Sequence, residues 1–276
     1  MSLQDQLDAL KAERQVNTPL AATLARQRAV GQTIASRLAE RAVRAGDRVP
    51  PFRLRDGNGA AFSSDDALRL GPMLIVFYKS RWCPYCNLEL SAIESTSDRI
   101  RSAGASIVAV SQQTPAESVQ TVRLNGLSFR SLVDRRGGVA NAFGLRWKAP
   151  TELPAVRDGG GEDPAVFNGE TSCAFTMPAR YIVGADGTVV YADVSIDYTQ
   201  RGDPSELLPI LDHLRRIRTL AGTRAWPPAG LEPKLQKACP CVPMGHESVP
   251  RSASRWQDPE CEASRRQERP ASLRRF

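Results

Sequence analysis

The feature that most constrains the fold is a short apolar run followed at once by two cysteines. Residues 73–78 read MLIVFY, and residues 81–90 read RWCPYCNLEL. A continuous run of branched and aromatic residues is typical of a strand buried on both faces. The residues after Pro84 have helical spacing, so Cys83 and Cys86 should open a helix directly behind that strand. The pair is therefore a redox dithiol, half of a metal site, or two buried neighbouring thiols.

The chain after the leading segment alternates between strand patterns and helix patterns. FRLRDGNGAAF at 52–62 indicates a hairpin, and ASIVAVSQ at 105–112 and FRSLVD at 129–134 indicate strands. Two further strands flank the turn at Asp186, and residues 203–222 form an amphipathic helix. This order predicts an α/β domain with a central mixed sheet. The arrangement resembles the thioredoxin fold, and the leading hairpin and the insertion resemble those of its peroxiredoxin-like members.

Three regions follow from these patterns. Residues 1–46 form a helical segment that docks or dimerises, with a helix start at Thr18–Pro19. Residues 47–222 form the thioredoxin-like domain, which contains a long Gly- and Pro-rich insertion. Residues 223–276 are rich in proline and arginine without periodicity, which predicts a disordered tail.

Charge and hydropathy exclude two classes of partner. The formal net charge is +7, but residues 1–46 and 227–276 each carry a surplus of three basic residues and leave the middle nearly neutral. Since few aromatic residues are interleaved with that charge (none in residues 1–46, and Trp256 and Phe276 in the tail), we predict no nucleic-acid partner. The apolar runs are too short for a membrane span, and acidic residues stand where a secretory signal needs apolar ones. We predict a cytoplasmic protein with no membrane association.

The spacing of the two cysteines suits thiol chemistry. Residues at i and i+3 can close a small disulfide ring, and a helix N-terminus favours a thiolate. Lys79 and Arg81 add positive charge just upstream. Thiols in such motifs drop from a pKa of about 8.5 to between roughly 3.5 and 7.5. We expect Cys83 to be the more exposed sulfur, with Cys86 one turn beneath it.

A zinc site competes with this interpretation but lacks ligands. Zinc needs four, and beyond the pair the chain's histidines and cysteines are His213, Cys173 in the insertion, and a histidine and three cysteines in the tail. We predict no metal and no cofactor. Cys173, in the insertion, is either a distant resolving cysteine or a small buried residue.

Several stretches together resemble one family. FYKSRWCPYCNLEL, GASIVAVSQQTP, LSFRSLVD, VANAFGL, MPARYIVGADGTVVYADV and DYTQR are similar to the peroxiredoxin-like branch of the alkyl hydroperoxide reductase/thiol-specific antioxidant (AhpC/TSA) family, over about residues 47–221. The resemblance implies a thioredoxin fold and reduction of hydrogen peroxide or organic hydroperoxides by a cysteine thiolate. It also implies recycling by thioredoxin or a glutathione-type reductant, and a homodimer is a further prediction.

The family motif, P-x-x-x-T-x-x-C, implies which positions are catalytic, and this chain departs from the motif at two of its three defined residues. It places the peroxidatic cysteine on Cys86, the threonine on Cys83 and the proline on Lys79. The family's activating arginine falls on Pro178, so Arg180, two residues on, is the candidate substitute. Residues 197–201 resemble the family's D-Y-T-x-R stretch, to which the sequence assigns no role.

A second resemblance leaves another enzymatic function open. Glutaredoxins carry C-P-Y-C, as at Cys83–Cys86, and thioredoxin-fold proteins place a substrate-binding cis-proline opposite the dithiol, here Pro178. Trp82 fits a thioredoxin-like substrate site or packs against the sheet edge. The alternatives are thus a peroxidase, in which Cys86 attacks and Cys83 resolves, and a disulfide oxidoreductase, in which Cys83 attacks. A third is an adaptor without catalysis.

Overall fold

The computed structural model describes residues 1–148, 167–168 and 174–220. Its centre is a seven-stranded mixed sheet in the order β2-β1-β5-β4-β3-β8-β9, and β6 pairs with β7 in a separate ribbon. The strands are β1 (Arg53–Asp56), β2 (Ala61–Ser63), β3 (Met73–Phe77), β4 (Ser106–Ser111), β5 (Arg130–Val133), β6 (Arg146–Lys148), β7 (Ala174–Thr176), β8 (Ala179–Val183) and β9 (Val189–Val194). Strand β4 runs parallel to β3 and β5, and the other pairings in this sheet are antiparallel.

Helices pack on both faces of this sheet. They are α1 (Leu3–Asn17), α2 (Leu20–Ala35), α3 (Leu38–Arg41), α4 (Ser64–Leu70), α5 (Pro84–Ser102), α6 (Pro115–Leu124), α7 (Gly138–Ala142) and α8 (Leu207–Leu220), with a 3-10 turn at Pro204–Glu206 before α8. The α/β class, the mixed sheet and the leading hairpin predicted from the sequence are confirmed. Helix α4 and the β6–β7 ribbon were not predicted.

Strand β3 is buried on both faces, as its composition predicts. Leu74 and Val76 point into a cluster shared with α1, α5 and α8. Met73, Ile75 and Phe77 point into a second cluster on the other face. The strand pairs with β4 and β8 along its whole length, so its carboxyl end is fixed by two neighbours. That end leads directly into the loop before α5.

The N-terminal segment packs onto the sheet domain through α1. A capping box formed by Ser2 and Asp5 starts this helix, and Leu3 and Leu7 are buried in the cluster that also holds α5 residues. The apolar positions Leu20 and Leu24 of α2 are exposed, so this helix face has no partner among the described residues. None of the described helices combines the length and apolar character needed to cross a membrane.

Some sequence-based predictions lie outside the described residues. These are the disorder of residues 223–276, most of the insertion and the role of Cys173. The proposed boundaries at 46 and 222 stay predictions.

Candidate active site

The two cysteines lie where the sequence places them, at the head of α5. Cys83 is the N-cap residue, Pro84 occupies the first turn, and the backbone N–H groups of Cys86 and Asn87 donate to the Cys83 carbonyl at 3.1 Å. The two cysteines are not joined to each other, and their Sγ atoms are 2.8 Å apart. A disulfide between them therefore needs little backbone movement.

Buried hydrogen bonds hold the loop between β3 and α5. The Gln113 side-chain oxygen accepts from Ser80 Oγ and from the Arg81 N–H, both at 3.1 Å. The amide nitrogen of the same side chain donates to the Tyr78 hydroxyl at 2.8 Å. From α5, Asn87 Nδ2 donates to the Arg81 carbonyl at 2.8 Å. The loop is thus fixed at both ends before the first sulfur.

Both sulfurs are almost closed to solvent. Cys83 is 2% exposed and Cys86 is fully buried, which confirms the expected order of exposure, but neither residue is open to solvent. They share their buried cluster with Trp82, and with Leu3 and Leu7 of α1. The sequence pattern around the pair gave no sign of this helix. A site of this kind admits a small substrate more readily than a protein disulfide.

One lysine at the end of β3 brings a positive charge to the pair. Lys79 Nζ lies 3.8 Å from the ring centroid of Tyr198, a cation–π contact. Burial lowers the pKa of Lys79, whereas the two sulfurs raise it. Arg81, also expected to supply charge here, instead forms an ion pair with Glu117 at 2.6 Å.

A buried carboxylate joins two arginines behind the sulfurs. Arg201 Nε lies 2.6 Å from one oxygen of Glu89, and Arg180 Nε lies 3.6 Å from the other. Arg180 also pairs with Asp193 at 2.6 Å. Burial lowers the pKa of Arg201, but Glu89 and the sulfurs raise it more, so the guanidinium stays charged. Its Nη2 atom is buried and has no hydrogen-bond partner among the residues that the structure describes.

The electrostatic surroundings shift the pKa values of the two sulfurs in opposite directions. Burial by itself would raise the pKa of Cys83, but the Cys86 thiol as hydrogen-bond donor, Lys79 and Arg201 lower it to about 6. Burial raises the pKa of Cys86 well above its usual value, and the neighbouring Cys83 raises it further. The two cations therefore favour a thiolate within the pair, and the opposite directions of the two pKa shifts favour Cys83 as the sulfur that carries it.

The predicted role of Pro178 is not supported. The predicted cis bond is wrong, because the Met177–Pro178 peptide is trans. The Pro178 carbonyl accepts from the Ser195 N–H at 3.0 Å, and the Met177 N–H donates to the Leu145 carbonyl at 2.9 Å. These backbone groups are therefore not free to pair with the extended chain of a substrate.

Trp82 and Arg180, the other two residues predicted to bind substrate, contact protein side chains instead. The Trp82 ring packs edge-on against Phe175 of the β6–β7 ribbon, with centroids 6.2 Å apart. Its indole N–H has no partner within the described part of the chain. Arg180 is buried and reaches the sulfurs only through Glu89 and Arg201.

Sequence reasoning missed Glu89 and Arg201 as site residues. Glu89 lies three residues after Cys86 on one face of α5, and Arg201 ends the stretch that resembles the family's D-Y-T-x-R motif. The sequence therefore held a signal for each residue, but nothing in it showed that the two side chains meet. Among the described residues, no group of three or more histidine, cysteine or acidic side chains could hold a metal ion.

Replacing Lys79 with methionine should raise the pKa of Cys83, because it removes a positive charge that stabilises the thiolate. The rate of Cys83 alkylation near pH 6 should fall about fivefold to tenfold and recover as the pH rises. Lys79→Arg keeps the charge and serves as the matched control. Identical pH profiles for all three proteins would show that this lysine does not act on the sulfur.

Comparison with known proteins gives consistent matches. A protein-family model described as the AhpC/TSA family matches residues 45–192. Peroxiredoxin Bcp of Escherichia coli (strain K12) is 25% identical over 117 residues, which cover 42% of this chain and 74% of that protein. Peroxidoxin BcpB from Mycobacterium tuberculosis has a TM-score of 0.48 at 17% identity, covering 66% of this chain and 99% of that one. AhpC of Enterococcus faecalis has a TM-score of 0.47 at 17% identity, with coverage of 66% and 98%.

Proposed function

This chain belongs to the AhpC/TSA family, and from that premise we propose that it is a thiol-dependent peroxidase working through Cys83 and Cys86. The observation that carries the proposal is the pair of sulfurs, 2.8 Å apart at a helix N-terminus. Two cations, Lys79 and Arg201, act on this pair. Such a site stabilises a thiolate and places a second thiol within bonding reach.

The proposed reaction has two oxidative steps. The Cys83 thiolate attacks the terminal oxygen of a hydroperoxide, so that an S–O bond forms and the O–O bond breaks. The leaving alkoxide or hydroxide takes up a proton, and Cys83 becomes a sulfenic acid. The Cys86 thiol then attacks that sulfur, which forms the disulfide and releases water. A reductant of the thioredoxin or glutathione type restores both thiols by disulfide exchange.

This assignment exchanges the roles that the family motif implies for the two cysteines. The motif puts the attacking sulfur on Cys86, whereas burial keeps that thiol protonated. Cys83 is the N-cap residue, is the slightly more accessible of the two, and is the sulfur whose thiolate is stabilised by Lys79. Cys86 then supplies the proton-bearing sulfur that resolves the sulfenic acid.

Arg201 is the group best suited to bind the peroxide. Its guanidinium is fixed by Glu89 and by the carbonyls of Tyr198 and Gln200, and one nitrogen is left without a partner among the described residues. A fixed, charged donor in a buried site stabilises the charge that develops on the departing oxygen. Binding by this group would cost little reorganisation during the reaction.

Disulfide oxidoreduction is the second candidate, and the C-P-Y-C motif with its lowered Cys83 pKa favours it. Two observations favour the peroxidase instead. The sulfurs are nearly inaccessible to a protein substrate, and the backbone at Met177 and Pro178 is already hydrogen-bonded. An adaptor without catalysis would not need a stabilised thiolate.

Oxidation with one equivalent of hydrogen peroxide tests the proposed function. We expect mass spectrometry without reductant to show the loss of two hydrogen atoms in the peptide that contains Cys83 and Cys86. In Cys86→Ser, the reaction should stop at a sulfenic acid on Cys83, which dimedone traps. An unchanged mass, or oxidation confined to other cysteines, would refute the proposal.

We also propose a cellular location and an oligomeric state for the protein. A dithiol that must return to its reduced form needs a reducing compartment, so we place the reaction in the cytosol. The exposed Leu20 and Leu24 of α2 are compatible with the predicted homodimer. No membrane or nucleic-acid partner is part of the proposed reaction.

A further inference from the structure

We propose that α1 is a working part of the active site, in which Gln4 and Lys11 position the loop that carries Arg201. We call residues 197–203 the site loop. This inference rests on the proposed function for its meaning, but it concerns the geometry of the thiols. The family match covers residues 45–192, so α1 and the site loop both lie outside it.

The site loop contributes two of the groups that surround the dithiol. The Tyr198 ring lies against the Lys79 ammonium at 3.8 Å and edge-on to the Tyr85 ring, with centroids 5.7 Å apart. Arg201 binds Glu89 at 2.6 Å and helps to lower the pKa of Cys83. A shift of this loop would therefore change the charge around both sulfurs.

Part of the hydrogen bonding of the site loop is internal. The Asp197 carboxylate accepts from the Thr199 N–H and hydroxyl at 3.0 and 2.7 Å. Arg201 Nη1 donates to the carbonyls of Tyr198 and Gln200 at 3.1 and 2.6 Å. These internal bonds shape the loop. Its position over α5 comes from contacts to other elements, such as the bond from Arg180 Nη1 to the Gly202 carbonyl at 3.0 Å.

Helix α1 supplies such contacts at both ends of the site loop. Gln4 Oε1 accepts from the Arg201 N–H at 3.2 Å, and the Leu3 N–H donates to Asp203 at 3.4 Å. Two turns further along, Lys11 Nζ lies 3.8 Å from Asp197. Residues 4 and 11 are seven apart and share one helix face, so the helix spans the loop.

The same helix is anchored to the element that carries the sulfurs. Leu3 and Leu7 are buried in the cluster that contains Cys83 and Cys86, and α1 packs along α5. The helix therefore links the site loop to the helix whose N-terminus holds the dithiol. Gln4 and Lys11 are positioning residues in this arrangement, because they act on the sulfurs only through the loop.

The test compares Gln4→Ala/Lys11→Met with wild type and with Gln6→Ala, all as full chains. Gln6 has the same side chain two residues on, on a different side of α1. The readouts are the pH dependence of Cys83 alkylation by iodoacetamide, the rate of reaction with hydrogen peroxide, and the melting temperature. We expect alkylation at pH 6–7 to slow about threefold to tenfold in the double variant, with its inflection at higher pH. Gln6→Ala should match wild type.

Two outcomes would overturn the inference. They are a wild-type profile for the double variant and an equal loss in Gln6→Ala. If the double variant does not fold, Gln4→Ala alone removes the bond to the Arg201 N–H and an exposed bond to Asp8, and it is judged by the same readouts. A wild type with reactive thiols but no peroxide reduction would refute the proposed function and leave this inference standing, because alkylation measures the sulfur directly.

Discussion

Replacing Cys83 with serine should abolish peroxide reduction, lowering the rate by at least about a thousandfold. The reason is that Cys83 carries the negative charge of the pair, whereas burial holds Cys86 protonated. In Cys83→Ser, the remaining thiol has lost its partner in the disulfide, and the serine hydroxyl carries no negative charge. Stopped-flow measurement of hydrogen peroxide consumption, with wild type as reference, gives the comparison.

Cys86→Ser is the matched variant, and it should behave differently. Its first reaction with peroxide should remain, because the attacking sulfur is present, but turnover with a dithiol reductant should stop without a resolving thiol. The opposite pattern, with Cys86→Ser inert and Cys83→Ser forming a sulfenic acid, would return the attacking role to Cys86, as the family motif implies.

Replacing Arg201 with methionine should destabilise the protein by about 3 kcal/mol. The change leaves the buried Glu89 carboxylate with only the longer, 3.6 Å contact to Arg180. It also removes a positive charge that lowers the pKa of both sulfurs, so thiol reactivity near pH 6–7 should fall in parallel. Urea unfolding gives the first quantity and the pH profile of alkylation gives the second.

Arg215→Met is the control for this prediction. Arg215 pairs with Asp212 on the exposed face of α8, with side chains 55% and 45% exposed, and such a surface pair contributes about 0–1 kcal/mol. Its loss should leave the thiols unchanged. If Arg201→Met were as stable and as reactive as this control, the buried ion cluster would have no part in the site.

The local parts of the site could be predicted from the sequence. The apolar run at 73–78 forms β3, and the C-x-x-C after it opens α5, because strand burial and helix capping are decided within a few residues. The family stretches then fixed the order of the domain. These elements define where the sulfurs lie.

The surroundings of the sulfurs could not be predicted, because they come from distant parts of the chain. Arg201 and Glu89 are 112 residues apart and meet only in the folded protein. The cover that α1 provides depends on Leu3 and Leu7 reaching the cluster of α5, which no local pattern shows. The expected cis bond before Pro178 came from resemblance alone, and the trans peptide corrects it.

The proposed reaction requires one sulfur of the pair, that of Cys83, to be negatively charged at neutral pH. The ultraviolet absorbance of the thiolate, recorded against pH in wild type and in Cys83→Ser, measures this charge directly. We predict that the difference between the two proteins shows one thiolate per chain with a midpoint near a pKa of about 6. A difference that appears only above about pH 8.5, where an ordinary cysteine titrates, would contradict the account.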